Sequence, residues 1–289
     1  MTGGRGRLAP HLAAHFRERR SEVACFSRLA GDGFQNISRL IEPRMLTSFD
    51  AVLHCAWSTV PLTSEEKPGL EEVNDLPLLQ SILQACGDLR HPPLVVFFST
   101  AAVYGNTSVL ATEETAPHPL GGYARAKLRA EEIIGTVYRQ HRALRCAILR
   151  VSNVFGWTTS SSRPQGIVNR ICRAIHDETP LPLWGSGENI KDYLFLSDFL
   201  EAVEAVVTHG LRGTFNIASE KSLSVNQIIS LVEGFTGRTL ARAPCPAFSW
   251  DVEKSYISAR KLRQATGWYA RHDLAEAIRQ LTEAELKCV

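Results

Sequence analysis

The chain has 289 residues, of which 44% are hydrophobic and 21% are charged, an ordinary composition for a soluble globular enzyme with a sizeable core. Its formal net charge of +2 argues against nucleic acids and membrane surfaces as partners bound by broad electrostatic attraction. No apolar run approaches the roughly 20 residues that span a bilayer, and the N-terminus lacks the hydrophobic stretch of a signal peptide. We therefore expect a cytoplasmic protein.

Short apolar runs alternate with amphipathic segments through the first half of the chain. Helices are predicted around 8–16, 73–86 and 123–138, and strands at 23–26, 51–55, 94–98 and 147–151. Strands that alternate with helices indicate βαβ units and a parallel sheet, where ligands bind beyond the carboxyl ends of the strands. The second half carries helical stripes, among them Ile228, Leu231, Val232 and Phe235. Loops rich in proline and glycine separate these stripes, which predicts a smaller lobe that covers the substrate.

A glycine-rich turn at residues 2–6 opens the first predicted helix. Glycines let the backbone approach a pyrophosphate, and the first N–H groups of the helix bind its charge. At the end of the next strand, Ser27 stands where an acid would accept hydrogen bonds from the ribose 2′-hydroxyl of NAD, and Arg28 follows. Because a cation there can pair with a 2′-phosphate, the pattern slightly favours NADP over NAD. The alternative is a surface arginine on a loop.

Two fragments further along the chain carry the candidate chemistry. Tyr123 and Lys127 are four positions apart, so they share one face of a helix, and Thr100 follows the carboxyl end of the strand before it. A tyrosine, a lysine and a hydroxyl in one site suit proton transfer to and from an alcohol or ketone. Alone, the Tyr-x-x-x-Lys spacing is a weak signal, and its alternative is a surface lysine beside a half-buried tyrosine.

Other polar residues give weaker signals. The seven cysteines and nine histidines lack the spacing of a metal site, and an odd number of scattered cysteines predicts reduced thiols rather than disulfides. We therefore expect no metal ion. Three pairs of neighbouring glutamates, at 71–72, 113–114 and 131–132, are expected to lie on solvated turns and helix faces rather than to act as catalytic dyads.

The motifs, taken in order, resemble the extended short-chain dehydrogenase/reductases, and among them the NAD-dependent epimerase/dehydratases that modify nucleotide sugars. The resemblance covers nearly the whole chain. The matching segments are the turn at 2–6, Asp50-x-Val52-Leu53-His54-x-Ala56, Asn74, Ser99-Thr100-x-x-Val103-Tyr104-Gly105, Tyr123-x-x-x-Lys127, Leu149-Arg150-x-x-Asn153-Val154-Phe155-Gly156, Gly185-x-Gly187, Lys191-Asp192-Tyr193, Phe215-Asn216-Ile217-Ala218 and Thr266-Gly267-Trp268. Motifs in this order are highly specific.

The resemblance implies an α/β fold, with a Rossmann-like doubly wound parallel sheet and a smaller mixed α/β substrate-binding lobe. It places a dinucleotide-binding domain at 1–154. Residues 155–289 are expected to form mainly the lobe for the nucleotide sugar, with some segments that return to the first domain. It also implies a homodimer, in which helices around 73–86 and 126–137 pair with those of a second copy.

The resemblance further implies roles for individual residues. Tyr123 is the acid/base, Thr100 holds the reacting oxygen, and Lys127 bonds the nicotinamide ribose while its charge stabilises the tyrosinate. The implied cofactor contacts are Gly3, Gly6, Arg5, Ser27, Arg28, Ala56, Asn74 and Lys127. The implied substrate contacts are Thr100, Ala101, Tyr123, Asn153 and Lys191, the last at a position where the family often has arginine.

The sequence departs from the family pattern in several places. It starts at Met1 directly before the glycine turn, so the usual first strand is expected to be missing. Ala101 and Ala102 follow Thr100 where the 4,6-dehydratases of the family carry an Asp-Glu pair, which disfavours dehydration. Phe248 stands about where an arginine often clamps the diphosphate, so one clamp is expected to be absent.

Two activities at C4 of a nucleotide sugar remain open. A 4-epimerase returns the hydride to the other face of the sugar and keeps its cofactor, whereas a 4-ketoreductase consumes NADPH at every turnover. Ser27 and Arg28 favour the ketoreductase, while the motifs as a whole are equally typical of an epimerase. The alternative to both is a non-catalytic or degenerate dinucleotide-binding protein, for which Thr100, Tyr123 and Lys127 together would have no purpose.

Overall fold

A computed structural model describes residues 1–157 and 166–287 of the chain. The chain divides into two compact units. Unit 1 consists of Met1–Val103, Gly121–Arg150 and Val203–Phe215. Unit 2 consists of Tyr104–Leu120, Val151–Ala202 and Asn216–Val289, of which 158–165 and 288–289 lie outside the described residues.

Helices and strands alternate along most of the chain. The helices are α1 (Leu8–Glu18), α2 (Pro43–Leu46), α3 (Pro61–Glu66), α4 (Leu70–Asn74), α5 (Leu76–Gly87), α6 (Gly122–Gln140), α7 (Ile167–His176), α8 (Leu196–Thr208), α9 (Val225–Thr236), α10 (Arg260–Thr266) and α11 (Leu274–Lys287), and short 3-10 turns occupy Ile37–Ile41 and Ala101–Tyr104. The strands are β1 (Phe26–Ser27), β2 (Gln35–Asn36), β3 (Ala51–His54), β4 (Leu94–Thr100), β5 (Arg145–Val151), β6 (Asn153–Phe155), β7 (Leu181–Trp184), β8 (Ile190–Phe195), β9 (Gly213–Ile217), β10 (Ser222–Ser224) and β11 (Arg242–Cys245).

The largest sheet has the strand order β3-β4-β5-β9. Strands β3 and β4 pair in parallel, with Val52 opposite Val95. The predicted strand at 94–98 forms as the core of β4, because its apolar side chains are buried on both faces of the sheet. The predicted strand at 23–26 is shorter than expected, since β1 begins at Phe26 and pairs in parallel with β2.

Thr2 stands beside two strands of unit 1. It forms parallel bridges with both Phe26 and His54, and its N–H donates to the Leu53 carbonyl at 3.0 Å. The Thr2 hydroxyl lies 3.0 Å from Nδ1 of His54 and accepts the Ala56 N–H at 3.1 Å. These contacts fix the start of the glycine turn against the end of β3.

Helices α2, α5 and α6 of unit 1 pack on one hydrophobic core. The apolar stripe predicted between 73 and 86 is buried, because the spacing of Leu76, Leu79, Leu83 and Cys86 puts all four on the inner face of α5. Helix α5 packs against α6. The segment at 203–215 completes the unit through Glu204, whose carboxylate pairs with His15 at 2.9 Å and Arg19 at 2.7 Å.

Unit 2 has a separate core and smaller sheets. Strand β8 lies between β6, with which it pairs in parallel, and the antiparallel β10, while β7 and β11 form a parallel pair. Helix α9 begins with a capping box, in which the Ser224 hydroxyl accepts the Gln227 N–H and the Gln227 side chain accepts the Ser224 N–H. Phe235 was expected on its buried face but is 40% exposed, because the core side of α9 is formed by Ile228 and Val232.

Within the described ranges, no helix is long and apolar enough to cross a membrane. No group of three or more histidine, cysteine, aspartate and glutamate side chains there could hold a metal ion. The cysteines at positions 25, 55, 86, 146, 172 and 245 are free thiols, most of them buried, and Cys288 lies outside the described residues.

Candidate active site

The tyrosine and lysine of the candidate site lie on the first two turns of α6. Tyr123 is the second residue of the helix, and the Lys127 ammonium is 5.7 Å from the centroid of its ring. Thr100 ends β4, and its hydroxyl accepts the Ala102 N–H at 3.2 Å, while Ala101 is buried in the 3-10 turn that follows. All of these residues belong to unit 1.

The start of α6 is held by the neighbouring helix α3. Gly121, the residue before the helix, offers no side-chain cap, so the first N–H groups need another acceptor. The Glu65 carboxylate supplies it, because it accepts the Gly122 N–H at 2.5 Å. A Cβ atom on Gly122 would lie only 3.0 Å from the Ser64 hydroxyl. The glycine therefore lets α3 approach closely and fix the residue just before Tyr123.

Lys127 is buried against aromatic rings and has no carboxylate within ion-pair distance among the described residues. Its side chain is 4% exposed, and its ammonium donates to the Phe98 carbonyl at 2.8 Å. The nitrogen lies 3.6 Å from the ring centroid of Trp57 and 4.9 Å from that of Phe97. Burial lowers the pKa of Lys127 to about 7, with Asp75 as the largest of the nearby charges that oppose the shift.

The surroundings of Tyr123 have the opposite effect on its hydroxyl. Burial raises the pKa of Tyr123 above its usual value, and the carboxylates of Glu71 and Asp75 raise it further. With its pKa raised in this way, the Tyr123 phenol keeps its proton at neutral pH. Ionisation of Tyr123 therefore depends on added positive charge beside it.

Two acids that the motif comparison did not single out are buried nearby. Glu71 and Asp75 are 2% and 4% exposed. The Asp75 carboxylate accepts the Ser58 N–H at 3.0 Å and the Ser58 hydroxyl at 2.8 Å, and Glu71 accepts the Thr59 hydroxyl at 2.5 Å. Their spacing of four residues, which puts both on one side of the chain as it enters α5, was the available signal.

The expectation that the three glutamate pairs are solvated was wrong for one member of each pair. Besides Glu71, the Glu131 carboxylate is 8% exposed, pairs with Arg150 at 2.7 Å and accepts the Ser99 hydroxyl at 2.5 Å. Glu113 accepts the Asn216 N–H at 2.7 Å. In each pair one side chain faces inward and is hydrogen-bonded, because neighbours on a helix or turn point in different directions.

The glycine turn has the geometry that a pyrophosphate site needs. Gly3 has a φ of +66°, and a Cβ there would lie 2.7 Å from the Ala56 nitrogen, so only glycine fits. A Cβ on Gly6 would lie 3.0 Å from the Gly3 carbonyl oxygen. Helix α1 follows without a side-chain cap and without an acid in its first turn. Its first N–H groups therefore fit an anionic ligand, and the residues present fit a dinucleotide.

The remaining predicted cofactor residues have different surroundings within unit 1. Arg5 pairs with Asp32 at 3.0 Å and lies 4.7 Å above the Phe34 ring. The Ser27 hydroxyl is buried and donates to the Leu29 carbonyl. Arg28 is exposed at the end of β1, and Asn74 is the last residue of α4. The structure thus keeps all of the predicted cofactor residues within unit 1.

The predicted diphosphate contacts belong to unit 2. Lys191 forms an ion pair with Asp251, which also accepts the Asn189 amide at 2.8 Å. Asn153 is exposed, and its side chain donates to the Asp192 carbonyl at 2.9 Å.

Phe248, at the position of the expected arginine, is part of an aromatic stack in the same unit. Its ring stacks between those of Trp184 and Trp250, with ring centroids 5.7 Å and 4.6 Å away. The Arg170 guanidinium lies 4.4 Å above the Trp184 ring. Aromatic side chains and a cation thus occupy this part of the lobe.

Two related proteins match more than half of the chain in sequence. A UDP-glucose 4-epimerase of Azospirillum brasilense is 29% identical over 251 residues, which cover 79% of this chain and 70% of that protein. The protein named uncharacterized UDP-glucose epimerase YtcB, of Bacillus subtilis (strain 168), is 30% identical over 167 residues, or 57% of this chain. The chain thus spans about half the length of that relative, 51%.

Solved structures extend the likeness to the whole fold. The UDP-glucose 4-epimerase of Thermus thermophilus, in complex with NAD, is 25% identical and has a TM-score of 0.86, covering 100% of this chain and 98% of that one. MoeE5, in complex with UDP-glucose and NAD, is 25% identical with a TM-score of 0.87 over 99% and 98% of the two chains. The predicted Rossmann-like α/β fold is confirmed. Because the family profile for NAD dependent epimerase/dehydratases matches residues 1–218, the chain belongs to the NAD dependent epimerase/dehydratase family.

Proposed function

We propose that this chain is a 4-epimerase of a nucleoside-diphosphate sugar that works with a nicotinamide dinucleotide. The observation that carries the proposal is the pair of Tyr123 and buried Lys127 on α6, in the same unit as Thr100 at the end of β4. Relatives and solved neighbours named UDP-glucose 4-epimerases support the choice of epimerisation. Ala101 and Ala102, in place of an acid pair, support it over dehydration.

The residues of unit 1 divide the binding of the dinucleotide among them. Gly3, Gly6 and the start of α1 would hold the pyrophosphate, because the glycines let the backbone approach it closely and the first turn of α1 has no side-chain cap. Ala56 and Asn74 would line its path, and Lys127 would bond the nicotinamide ribose. When bound, the dinucleotide supplies the acceptor and donor of hydride.

The protein's own groups manage the proton and the oxygen at C4. Tyr123 takes the proton of the C4 hydroxyl as hydride leaves the carbon and returns it after hydride has come back to the other face. Protonated Lys127 makes this possible, since its positive charge stabilises the tyrosinate that burial otherwise disfavours. Thr100 would donate a hydrogen bond to the reacting oxygen. In unit 2, Asn153 and Lys191 would bind the diphosphate of the substrate.

The first experiment identifies what the purified protein carries. We would denature it, determine any released dinucleotide by mass, and then incubate the native protein with UDP-glucose while following UDP-galactose. Stoichiometric NAD and interconversion without added cofactor are expected from an epimerase. An empty protein that binds no dinucleotide would contradict the proposal and indicate a degenerate site.

Tyr123→Phe tests the chemistry with a matched control on the same helix. We expect turnover to fall by about 10²- to 10⁴-fold, because a general acid/base is lost, while the dinucleotide stays bound. Tyr138→Phe serves as control, since Tyr138 is 43% exposed near the end of α6. Turnover that survives in Tyr123→Phe would overturn the mechanism.

One observation favours a second candidate, a 4-ketoreductase that consumes NADPH. Arg28 is exposed directly after β1, where a cation can pair with a 2′-phosphate. In that case the protein is purified empty, binds NADPH more tightly than NADH, and loses this preference in Arg28→Ala. Solved neighbours hold NAD, which supports the epimerase as the first candidate.

A further inference from the structure

We propose that Glu71 and Asp75 form a buried anionic pair that holds Lys127 in its charged form and keeps Trp57 against it. The inference rests on the proposed function, in which charged Lys127 stabilises the tyrosinate of Tyr123. Glu71 and Asp75 touch neither substrate nor cofactor in this scheme, so they are positioning residues.

The contacts of the pair lead directly to Lys127. Asp75 accepts hydrogen bonds from both the backbone and the hydroxyl of Ser58, and Glu71 accepts one from Thr59. Ser58 and Thr59 immediately follow Trp57, whose ring centroid is 3.6 Å from the Lys127 ammonium. The two carboxylates therefore hold Ser58 and Thr59 in place, and with them the Trp57 ring that contacts the lysine.

The negative charges of Glu71 and Asp75 are opposite in sign to the charge of protonated Lys127. Neither Glu71 nor Asp75 has a cationic partner within ion-pair distance in the described parts of the chain, and their hydrogen bonds come from neutral groups. Uncompensated carboxylates and ammonium groups are expensive to bury. Both carboxylates favour the charged form of Lys127, with Asp75 the strongest contributor. Two buried acids whose charges act on one buried lysine offset part of the cost of burying that cation.

The other groups around the lysine are neutral near neutral pH or have a partner of their own, although Glu131 also raises the pKa of Lys127 and does so more than Glu71. The titratable groups near the Lys127 ammonium are, in chain order, His54, Cys55, Glu71, Asp75, Tyr123 and Glu131. Burial lowers the pKa of His54 to about 3 and raises that of Cys55 to about 12, so both are neutral near neutral pH. Tyr123 keeps its proton there as well, and the charge of Glu131 is matched by Arg150 at 2.7 Å. Glu71 and Asp75 remain as the acids that have no cation within ion-pair distance among the described residues; burial raises the pKa of Asp75, and the hydrogen bonds from Ser58 oppose that shift.

The test measures the ionisation of Lys127 directly, without any enzymatic readout. Protein labelled with ¹³C at the ε carbon of its seven lysines would be titrated by NMR, with the Lys127 signal assigned through Lys127→Arg. Asp75→Asn and Glu71→Gln keep an oxygen for Ser58 and Thr59 but remove the charge. Both are expected to lower the Lys127 midpoint, Asp75→Asn by about one pH unit and Glu71→Gln by less, because Asp75 is the stronger of the two charges that act on the lysine.

Glu72→Gln is the matched control, because Glu72 is the exposed neighbour of Glu71 on the same helix. It is expected to leave the midpoint where it is in the unaltered protein. A midpoint that is the same in Asp75→Asn, Glu71→Gln and Glu72→Gln would overturn the proposal. If Asp75→Asn fails to fold, Glu71→Gln alone decides. The titration gives its answer even if the protein shows no epimerase activity, so the two proposals fail separately.

A second readout separates charge from simple support of the fold. If the pair acts on the Lys127 charge, the turnover deficit of Asp75→Asn shrinks as the pH is lowered, because the lysine regains its proton. The alkaline limb of the turnover profile moves to lower pH by the same interval as the NMR midpoint. A deficit that is equal at all pH values would mean that Asp75 only holds the Ser58 segment in place, which contradicts the proposal.

Discussion

Lys127 and Lys191, the two lysines that the motifs single out, have contrasting surroundings. Lys191 is 24% exposed and pairs with the carboxylate of Asp251. Lys127 is 4% exposed and lies against the Trp57 ring, and no carboxylate of the described residues is within ion-pair distance of it. A partly exposed lysine with its own counterion suits a fixed contact with an anionic ligand. A buried lysine without one has a labile charge, which suits a residue that must influence a proton on its neighbour.

The largest expected effect is on catalysis. Lys127→Met should lower turnover with UDP-glucose by about 10³-fold, because the tyrosinate of Tyr123 loses the charge that stabilises it. Lys191→Met should instead raise KM by about tenfold with a smaller effect on kcat, since it removes one charge-assisted contact to a diphosphate. Steady-state kinetics on both variants checks the contrast. Equal losses of kcat in both would remove the distinction between anchor and catalyst.

The next effect is on stability, and its sign follows from the pKa of Lys127. That pKa is about 7 in the folded protein, below the usual 10.5. Between these values the unfolded chain holds a proton that the folded chain has released, so this group's contribution to the free energy of unfolding rises with pH. Below pH 7 the full cost of burying the cation remains. Lys127→Met should therefore be more stable than the unaltered protein at acidic pH, by about 2 kcal/mol.

Urea unfolding at about pH 6 and about pH 9.5 would test this prediction. The advantage of Lys127→Met is expected to shrink at the higher pH. Lys67→Met is the control, because Lys67 is an exposed lysine of the same unit. An advantage of Lys127→Met that does not vary with pH would mean that Lys127 has an ordinary pKa in the folded protein and that the gain comes from packing rather than from removal of a buried charge.

The smallest effect concerns the counterion of Lys191. Asp251→Asn should lower KM for the nucleotide sugar by about threefold, because a partly exposed ion pair is worth less than 1 kcal/mol and the freed lysine can bind the diphosphate instead. The gain should disappear when Lys191→Met is added to it. A KM that rises in Asp251→Asn would show that the aspartate positions Lys191 for its ligand rather than competing with that ligand.

The sequence predicted elements whose signal is local. The stripe of leucines in α5 and the Tyr123–Lys127 spacing follow the helical period of 3.6 residues, and β4 is an unbroken apolar run, so all three were visible without a structure. Phe235 was predicted in the buried stripe of α9 but is exposed, because helical spacing alone does not decide which edge of an apolar stripe faces the core. The short β1 shows another limit, because strand ends depend on the partner strand.

The burial of Glu71, Asp75 and Glu131 could not be predicted from the sequence, for a different reason. Glu71 and Asp75 receive their hydrogen bonds from Thr59 and Ser58, which precede them by 12 and 17 residues. Glu131 depends on Ser99 and Arg150 in two separate strands. In each case the fate of a charged side chain is decided by a group that only the fold brings near. A glutamate beside another glutamate looks solvated until that partner is known.

The discontinuity of unit 1 has a consequence for biosynthesis. Glu204 pairs with His15 of α1 and with Arg19, the residue after that helix. It is synthesised after the whole segment 151–202, which belongs to unit 2. Helix α1 therefore lacks this carboxylate until residue 204 has been synthesised. Because domains tend to fold as units from the N-terminus during synthesis, this protein has to keep an unfinished first unit soluble while the second one emerges.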